Sequence, residues 1–415
     1  MYFVVSGVGI WNGSNSSIEL EKYDCRFRNA SINFLMDGID IKPVYHEAVE
    51  KHVLTRYELA QRLGKGAFGI VWKVIEKKSR KLKALKKCYD AFRSSEDGQA
   101  TYREVMYLTE MAGHDNIVRL QQVIKGENNR DVYLVFDYME TDLYSLIRAD
   151  EMHGILQNVH KKYLIYQLLK AVKYVHSADL IHRDIKPANI LVNRDCHLRL
   201  CDFGMTRSIA LPEGPAPTLT DYTATRWYRA PEVLLGGVHY DKGVDIWATG
   251  CVLAELFLHK PLFPGQSTMG QIEKIIQLSG RPIAADVEAM NSPYASTMLE
   301  ALPPTRPISL NELLPDASAE SLDFVSQCVT FSPLKRTNVH NALRHPYVAE
   351  FHDPEDEPSF EGGAIRLETD DNTLLKPAEY RQKLYAEIER RRQVARKMQL
   401  QQLKRPSQAV MVSMS

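Results

Sequence analysis

Near residue 140 the hydrophobic pattern of this chain changes period, and that change limits the fold more than any other feature. From Tyr57 to about Glu140, short β-branched runs surround one helical stretch near Ala100 to Ala112, the pattern of a small sheet carrying a single helix. From Asp142 to Val348 the period becomes helical, as in Lys161 to His176, Val244 to Leu258 and Leu322 to Val329. The chain therefore reads as α+β, with a small, mainly β lobe over about 57–140 and a larger, mainly α lobe over about 141–348. Its 415 residues are enough for two packed lobes with appendages.

The appendages carry different signals. Residues 1–55 contain alternating runs at Ile18 to Phe27 and Ser31 to Met36, which suit a hairpin but suggest no chemistry. The apolar start Met1 to Trp11 lacks a basic flank and is too short to span a bilayer, so neither a signal peptide nor an anchor is expected. Residues 284–314, rich in proline, serine and alanine, read as an insert with short helices. Residues 353–371 hold eight acids and one arginine (net −7), and residues 376–405 hold ten bases and three acids (net +7). These patches can attract each other or recruit different partners. Within the basic stretch, about 377–404, Tyr380, Leu384 and Ile388 stand four apart and form one apolar stripe. That stripe reads first as a helix packed back on its own domain, and second as a membrane-surface or nucleic-acid arm.

Lysine plus arginine (52) cancels aspartate plus glutamate (52), so no global field draws the chain to nucleic acid or to an anionic membrane. The six cysteines include no Cys-x-x-Cys pair, and reduced thiols in the cytosol or nucleus are expected.

The chemistry lies in an ordered series of short motifs. Gly64-Lys65-Gly66-Ala67-Phe68-Gly69-Ile70-Val71 is a glycine-rich turn between two strand-like runs, where missing side chains let backbone amides approach phosphate oxygens. One strand later, Lys86 follows the small Ala84 and can bring a positive charge to the phosphates of a nucleotide. The neighbouring Lys77, Lys78, Lys81 and Lys83 read as solvated lysines of a basic turn. Glu104, on the small lobe's one helix, is placed to pair with Lys86. His182-Arg183-Asp184 with Asn189 precedes Asp202-Phe203-Gly204. Asp184 is the expected general base, Lys186 a charge stabiliser, and Asn189 and Asp202 hard oxygen ligands suited to Mg²⁺. Ala230-Pro231-Glu232 closes the set, with Arg336 as the expected buried partner of Glu232 and Asp245 as organiser of the catalytic loop. Cys201 should face the nucleotide pocket as a small packing residue.

This series resembles the eukaryotic protein kinases, with matching motifs from about Tyr57 to Val348. The resemblance implies the two-lobed kinase fold, ATP and Mg²⁺ as cofactors, and phosphoryl transfer to protein substrates. It also implies a nucleotide site formed by Leu63 to Val71, Ala84, Lys86, Phe136 at the gatekeeper place, Asp137 and Met139. Thr220-Asp221-Tyr222 ahead of Ala224 to Glu232, the 284–314 insert and the acidic Asp353 to Pro358 are similar to features of the mitogen-activated protein kinases. Lys86 to Phe92, Tyr133 to Phe136 and Leu211 to Pro215 are similar to the atypical extracellular-signal-regulated branch that contains mitogen-activated protein kinase 15. Two departures are Asp221, where that branch usually has glutamate, and a much shorter C-terminal tail than its animal members carry.

The resemblance implies a proline-directed serine/threonine kinase switched on by phosphorylation of Thr220 and Tyr222, with self-phosphorylation as one route. Arg103, Arg183 and Arg207 would grip phospho-Thr220, and Arg226 and Arg229 phospho-Tyr222. Asp353 and Asp356 would dock basic peptides, no membrane or nucleic-acid partner is expected, and the cytoplasm, with the nucleus and cytoskeleton or cilium as further sites, is the expected location. The alternative is a pseudokinase-like scaffold that binds partners through the acidic segment.

Overall fold

The computed structural model describes residues 2–4, 49–66, 69–210, 226–237, 241–369 and 373–404. The hairpin expected within residues 18–36 lies outside them, as do Ala67, Phe68, Thr220 and Tyr222.

The small lobe is one antiparallel sheet of six strands in the order β1-β5-β6-β4-β3-β2. Its strands are β1 (Tyr2–Val4), β2 (Tyr57–Gly66), β3 (Gly69–Glu76), β4 (Leu82–Cys88), β5 (Leu120–Lys125) and β6 (Val132–Asp137). A short helix α1 (Lys51–Leu54) precedes β2, and helix α2 (Ser95–Glu110) follows β4. Strand alternation divides the side chains of β4 between two environments. Leu85 joins Trp72, Val74 and Tyr133 in the outer core, while Ala84 and Lys86 face the cleft between the lobes.

Helix α2 begins about five residues earlier than the periodicity suggests. Ser94 caps it by accepting a hydrogen bond from the Asp97 amide at 3.1 Å. Gly98, a poor helix former inside its first turn, is there for packing, since a Cβ on it would stand 3.2 Å from the Tyr380 ring.

The large lobe contains the short strands β7 (Thr141–Asp142), β8 (Leu180–Ile181), β9 (Ile190–Val192), β10 (Leu198–Leu200) and β11 (Arg207–Ser208). Its helices are α3 (Leu143–His153), α4 (Asn158–Ser177), α5 (Pro231–Leu234), α6 (Gly243–Leu258) and α7 (Thr268–Ser279). Next come α8 (Ala284–Glu288), α9 (Ala295–Glu300), α10 (Leu310–Leu313), α11 (Ala319–Cys328) and α12 (Val339–Leu343). The insert is thus built of short helices, as its composition suggests. Its lobe's central helix α6 is apolar on nearly every side because it is buried along its length. No described helix is long and apolar enough to cross a membrane.

Described segments near both ends pack on the small lobe. Strand β1 pairs with β5 through Phe3↔Val123, and Val49 and Val53 are buried in the outer core of the small lobe. The tail leaves α12, crosses the large lobe and ends in helix α13 (Pro377–Lys404), which packs along α2 and β1. Tyr380, Leu384 and Ile388 are all buried, so the apolar stripe does seat the helix on its own domain. The described parts of the acidic and basic patches touch little. Among the described residues Glu368 meets Lys383 at 3.7 Å, whereas Asp356 and Glu357 pair with Lys170 and Lys173 of α4.

Arg336 lies beneath the large lobe, its guanidinium fully shielded from solvent. It donates to Glu232 Oε1 and Oε2 at 2.7 and 2.9 Å and stacks over Trp247. Removing one partner of such a buried pair strands the other charge. Arg336→Ala should therefore lower unfolding stability by about 3–5 kcal/mol in urea titration, and Arg336→Lys should restore little of it, because lysine cannot reproduce the fork.

Candidate active site

Three glycines shape the roof of the cleft for different reasons. A Cβ on Gly64 or Gly66 would meet no atom within 4 Å, so these two leave open space above the cavity. One on Gly69 would lie 1.9 Å from the Lys87 carbonyl oxygen, so that glycine permits the close pairing of β3 with β4.

On the next strand Lys86 Nζ donates to both carboxylate oxygens of Glu104, at 2.7 and 2.9 Å. Glu104 is only 6% exposed, while the Lys86 side chain keeps 22% of its surface open toward the cleft. Burial favours the neutral amine, but Glu104, Cys88 and Asp202 outweigh it and hold the Lys86 pKa above its ordinary value.

The floor is organised by Asp245 on α6. Its Oδ2 accepts from His176 Nε2 at 2.9 Å and from the His182 amide at 2.8 Å, and its Oδ1 accepts from the Arg183 amide at 2.8 Å. Burial would raise its pKa, yet the His176 hydrogen bond, the neighbouring His176 and His182 rings and the Arg183 amide bring it below the usual carboxylate range. Arg183 consequently adopts φ +69°, a left-handed conformation that an arginine does not choose unaided.

His182 accepts the Asp184 amide at Nδ1 and lies 3.1 Å from the Cys201 carbonyl through Nε2, which defines an Nε2–H tautomer. The carboxylate of Asp184 receives Lys186 Nζ at 2.7 and 3.0 Å and Asn189 Nδ2 at 2.8 Å. Asp202, also left-handed at φ +64°, stands at the end of β10. Burial pushes its pKa up, but Lys86, Lys186 and His182 pull harder and keep it ionised. One carboxylate thus senses the amines of both lobes.

Between roof and floor lies a cavity of about 660 Å³ lined by Leu63, Gly64, Gly66, Val71, Ala84, Lys86, Glu104, Phe136, Asp137, Met139, Asn189 and Asp202. Of the expected nucleotide residues, Lys65, Gly69 and Ile70 do not line it. Alternation turns Ile70 into the outer core, and Lys65 is exposed. Asp137 lines the wall, but its carboxylate receives Lys83 at 2.7 Å and Arg199 at 3.3 Å. Lys83 is therefore a half-buried ion-pair partner and not a solvated turn lysine. Val118, Leu191 and Leu146 add apolar surface that no short motif announced. Cys201 also lines the cavity, and burial first, then Asp202, keeps its thiol protonated.

The residues match a protein kinase domain over 57–348. The chain is 51% identical over 356 residues to extracellular signal-regulated kinase 2 of Dictyostelium discoideum, covering 85% of this chain and 95% of that relative. It is 45% identical over 370 residues to mitogen-activated protein kinase 15 of Xenopus laevis, covering 88% of this chain and 62% of the relative. To the protein of that name in Caenorhabditis elegans it is 41% identical over 363 residues, 86% of this chain and 76% of the relative. The chain belongs to the mitogen-activated protein kinases, in their atypical extracellular-signal-regulated branch. It is a serine/threonine protein kinase that uses ATP and acts on proteins.

In this kinase Arg103, Arg183 and Arg207 come from elements that meet. Helix α2, which carries Arg103, packs on the Phe203–Met205 turn, Arg183 Nη1 donates to the Met205 carbonyl at 3.2 Å, and Arg207 follows that turn. Arg226 donates to the Gln266 carbonyl at 3.2 Å, and Arg229 ends the same short turn. Of the two acids expected to dock peptides, Asp353 is exposed and caps the Pro354–Asp356 turn, whereas Asp356 is committed to Lys170.

The segment that includes Arg226 is pinned to α6 by Tyr228, whose hydroxyl donates to Glu255 Oε2 at 2.6 Å. Burial pushes the Glu255 pKa up to about 7. Between the unfolded carboxyl value and about 7 the folded state binds the extra proton, so this group's contribution to stability falls as pH rises through that window and then levels. Between about pH 5 and pH 8, wild type should lose on the order of 2–3 kcal/mol more than Glu255→Gln in urea unfolding.

Proposed function

We propose that the kinase transfers the ATP γ-phosphoryl group to serine or threonine followed by proline, and that phosphorylation of Thr220 and Tyr222 switches it on. The observation that carries this reading is the convergence of the Lys86–Glu104 pair, Asn189 and Asp202 on one cavity, with Asp184 tied to Asn189 and Lys186 at its margin. The ionised Asp202 carboxylate and the amide of Asn189 are hard donors on the same wall, and these two would hold Mg²⁺. Bound there, the ion would neutralise charge on the phosphates.

Lys86, held in place by Glu104, orients the phosphates, and Gly64 and Gly66 leave the room they need. Asp184 accepts the proton of the attacking hydroxyl, a role worth about 10²- to 10⁴-fold in rate. Lys186 steadies both Asp184 and the transferring charge. Phosphate on Thr220 would be bound by Arg103, Arg183 and Arg207, tying the lip to α2 and to the catalytic loop. Arg226 and Arg229 would hold phosphate on Tyr222, the Arg226 guanidinium having donors to spare beyond its bond to Gln266. Self-phosphorylation is the proposed route, and cytosol and nucleus, with the cytoskeleton or cilium, the proposed locations.

Asp184→Asn should abolish turnover of a Ser-Pro peptide while leaving nucleotide binding intact. Thr220→Ala with Tyr222→Phe should keep the folded state and cut peptide turnover at least about tenfold. Unchanged turnover in the double variant would refute the switch, and equal turnover of Ser-Pro and Ser-Ala peptides would refute the preference for proline.

Basic docking peptides are proposed to engage the Asp353 end of the acidic turn. Asp353→Asn should weaken such a peptide in fluorescence anisotropy at constant turnover. Asp356→Asn should instead lower thermal stability, because it strands Lys170.

A further inference from the structure

At the edge of the small lobe, away from the cleft, a second cluster of charged side chains converges. Glu50 and His52 come from the start of α1, and Glu127 from the turn joining β5 to β6. His52 Nδ1 lies 3.4 Å from Glu50 Oε2 and 3.1 Å from Glu127 Oε1. One ligand atom from each of the three residues lies within 4.8 Å of the other two.

The other ring nitrogen sets the chemistry. His52 Nε2 is 3.1 Å from the Lys125 carbonyl oxygen. A carbonyl only accepts, so Nε2 carries a proton, and the neutral ring then turns the lone pair of Nδ1 toward two carboxylates. Three electron-pair donors face one another. Such a grouping calls for a cation among them, either a second proton on the ring or a metal ion.

The spacing also admits the metal. Two ligands at about 2.0–2.1 Å from a tetrahedral ion stand about 3.3–3.4 Å apart, close to the two separations found at Nδ1. Outer bonds of the kind that orient ligands in metal sites are also in place. The imidazole N–H is held by a backbone carbonyl, and Glu50 Oε2 accepts the Glu127 amide at 2.6 Å. His52 and Glu50 are largely buried, while Glu127 is 68% exposed and leaves one side open to water.

We propose that Glu50, His52 and Glu127 bind one divalent first-row metal ion of the Zn²⁺ class, with solvent completing its coordination. One imidazole and two carboxylates form a borderline-hard donor set for which Zn²⁺ is a better match than Mg²⁺ or Ca²⁺. The ion clips the segment entering β2 to the β5–β6 turn. On the other side of that turn, Arg381 of α13 donates to the Asn129 carbonyl at 3.1 Å. A clip at this place therefore braces the corner where the segment entering β2 and helix α13 both meet the β5–β6 turn.

The test uses the full-length kinase, stripped of metal and titrated with Zn²⁺ by calorimetry in excess Mg²⁺, with Co²⁺ absorption reporting the ligand field. One Zn²⁺ should bind per chain and raise the thermal midpoint, and the same should hold for Asp202→Asn, which removes the carboxylate of the cleft. Glu127→Gln changes a solvent-exposed side chain and should weaken Zn²⁺ at least about tenfold. His52→Gln should remove binding and the tetrahedral Co²⁺ spectrum together. Undiminished binding in Glu127→Gln, loss of binding in Asp202→Asn, or no binding by wild type would each overturn the proposal. So would a thermal midpoint that follows protonation of His52 and ignores Zn²⁺, which would assign the cluster to a proton.

Discussion

A single buried carboxylate holds the working parts of this kinase in register. Asp245 accepts two successive backbone amides, His182 and Arg183, and so imposes a left-handed turn on a residue with no glycine-like freedom. Strain at that residue is worth about 1–3 kcal/mol and persists because the amides have no better acceptor. Everything beyond the turn follows from it. His182 is set to bridge to the Cys201 carbonyl, Asp184 is turned toward Lys186 and Asn189, and Arg183 reaches Met205. The His182 ring meets Phe203 edge-on at 4.8 Å, which couples the loop to the segment bearing Asp202. A change at Asp245 therefore acts on chemistry that it never touches.

The upper half of the site is held from behind. Helix α2 presents Glu104 to Lys86 on one side and Gly98, Tyr102 and Glu110 to α13 on the other. Tyr380 fills the space that a side chain at 98 would occupy, and Arg391 meets both Glu110 and Glu387. The tail that composition marks as an appendage is thus part of the wall that fixes the lysine–glutamate pair. Lobe is tied to lobe behind the cleft as well, where the Leu200 amide donates to Asn116 and the Val118 amide to Leu200.

Much of the site was legible because catalysis places its polar groups on short contiguous loops. His182 to Asn189 and Asp202 to Gly204 are such loops, and the structure brings their side chains together with Lys86 and Glu104. What stayed illegible was supplied by alternation and by distant partners. Ile70 sits inside the glycine-rich motif yet faces the outer core, Lys83 in a basic run is held by Asp137, and Asp356 in an acidic run is consumed by Lys170. A charge in a run looks free until the opposing element is known. Gly98 conceals the start of α2 because the residue that explains it lies 282 positions later (380 − 98).

Local order alone determined that two lobes of different class meet near residue 140, and, through the resemblance of its motifs to protein kinases, which residues are expected to move a phosphoryl group. Periodicity and motif spacing are properties of neighbours along the chain, and they survive without any fold. Tertiary structure alone decided that residues 2–4 become a sheet edge, that the basic tail braces α2, and that Glu50, His52 and Glu127 converge. These depend on contacts between segments far apart in sequence, whose closure is determined by the whole core and is written in no single stretch of it.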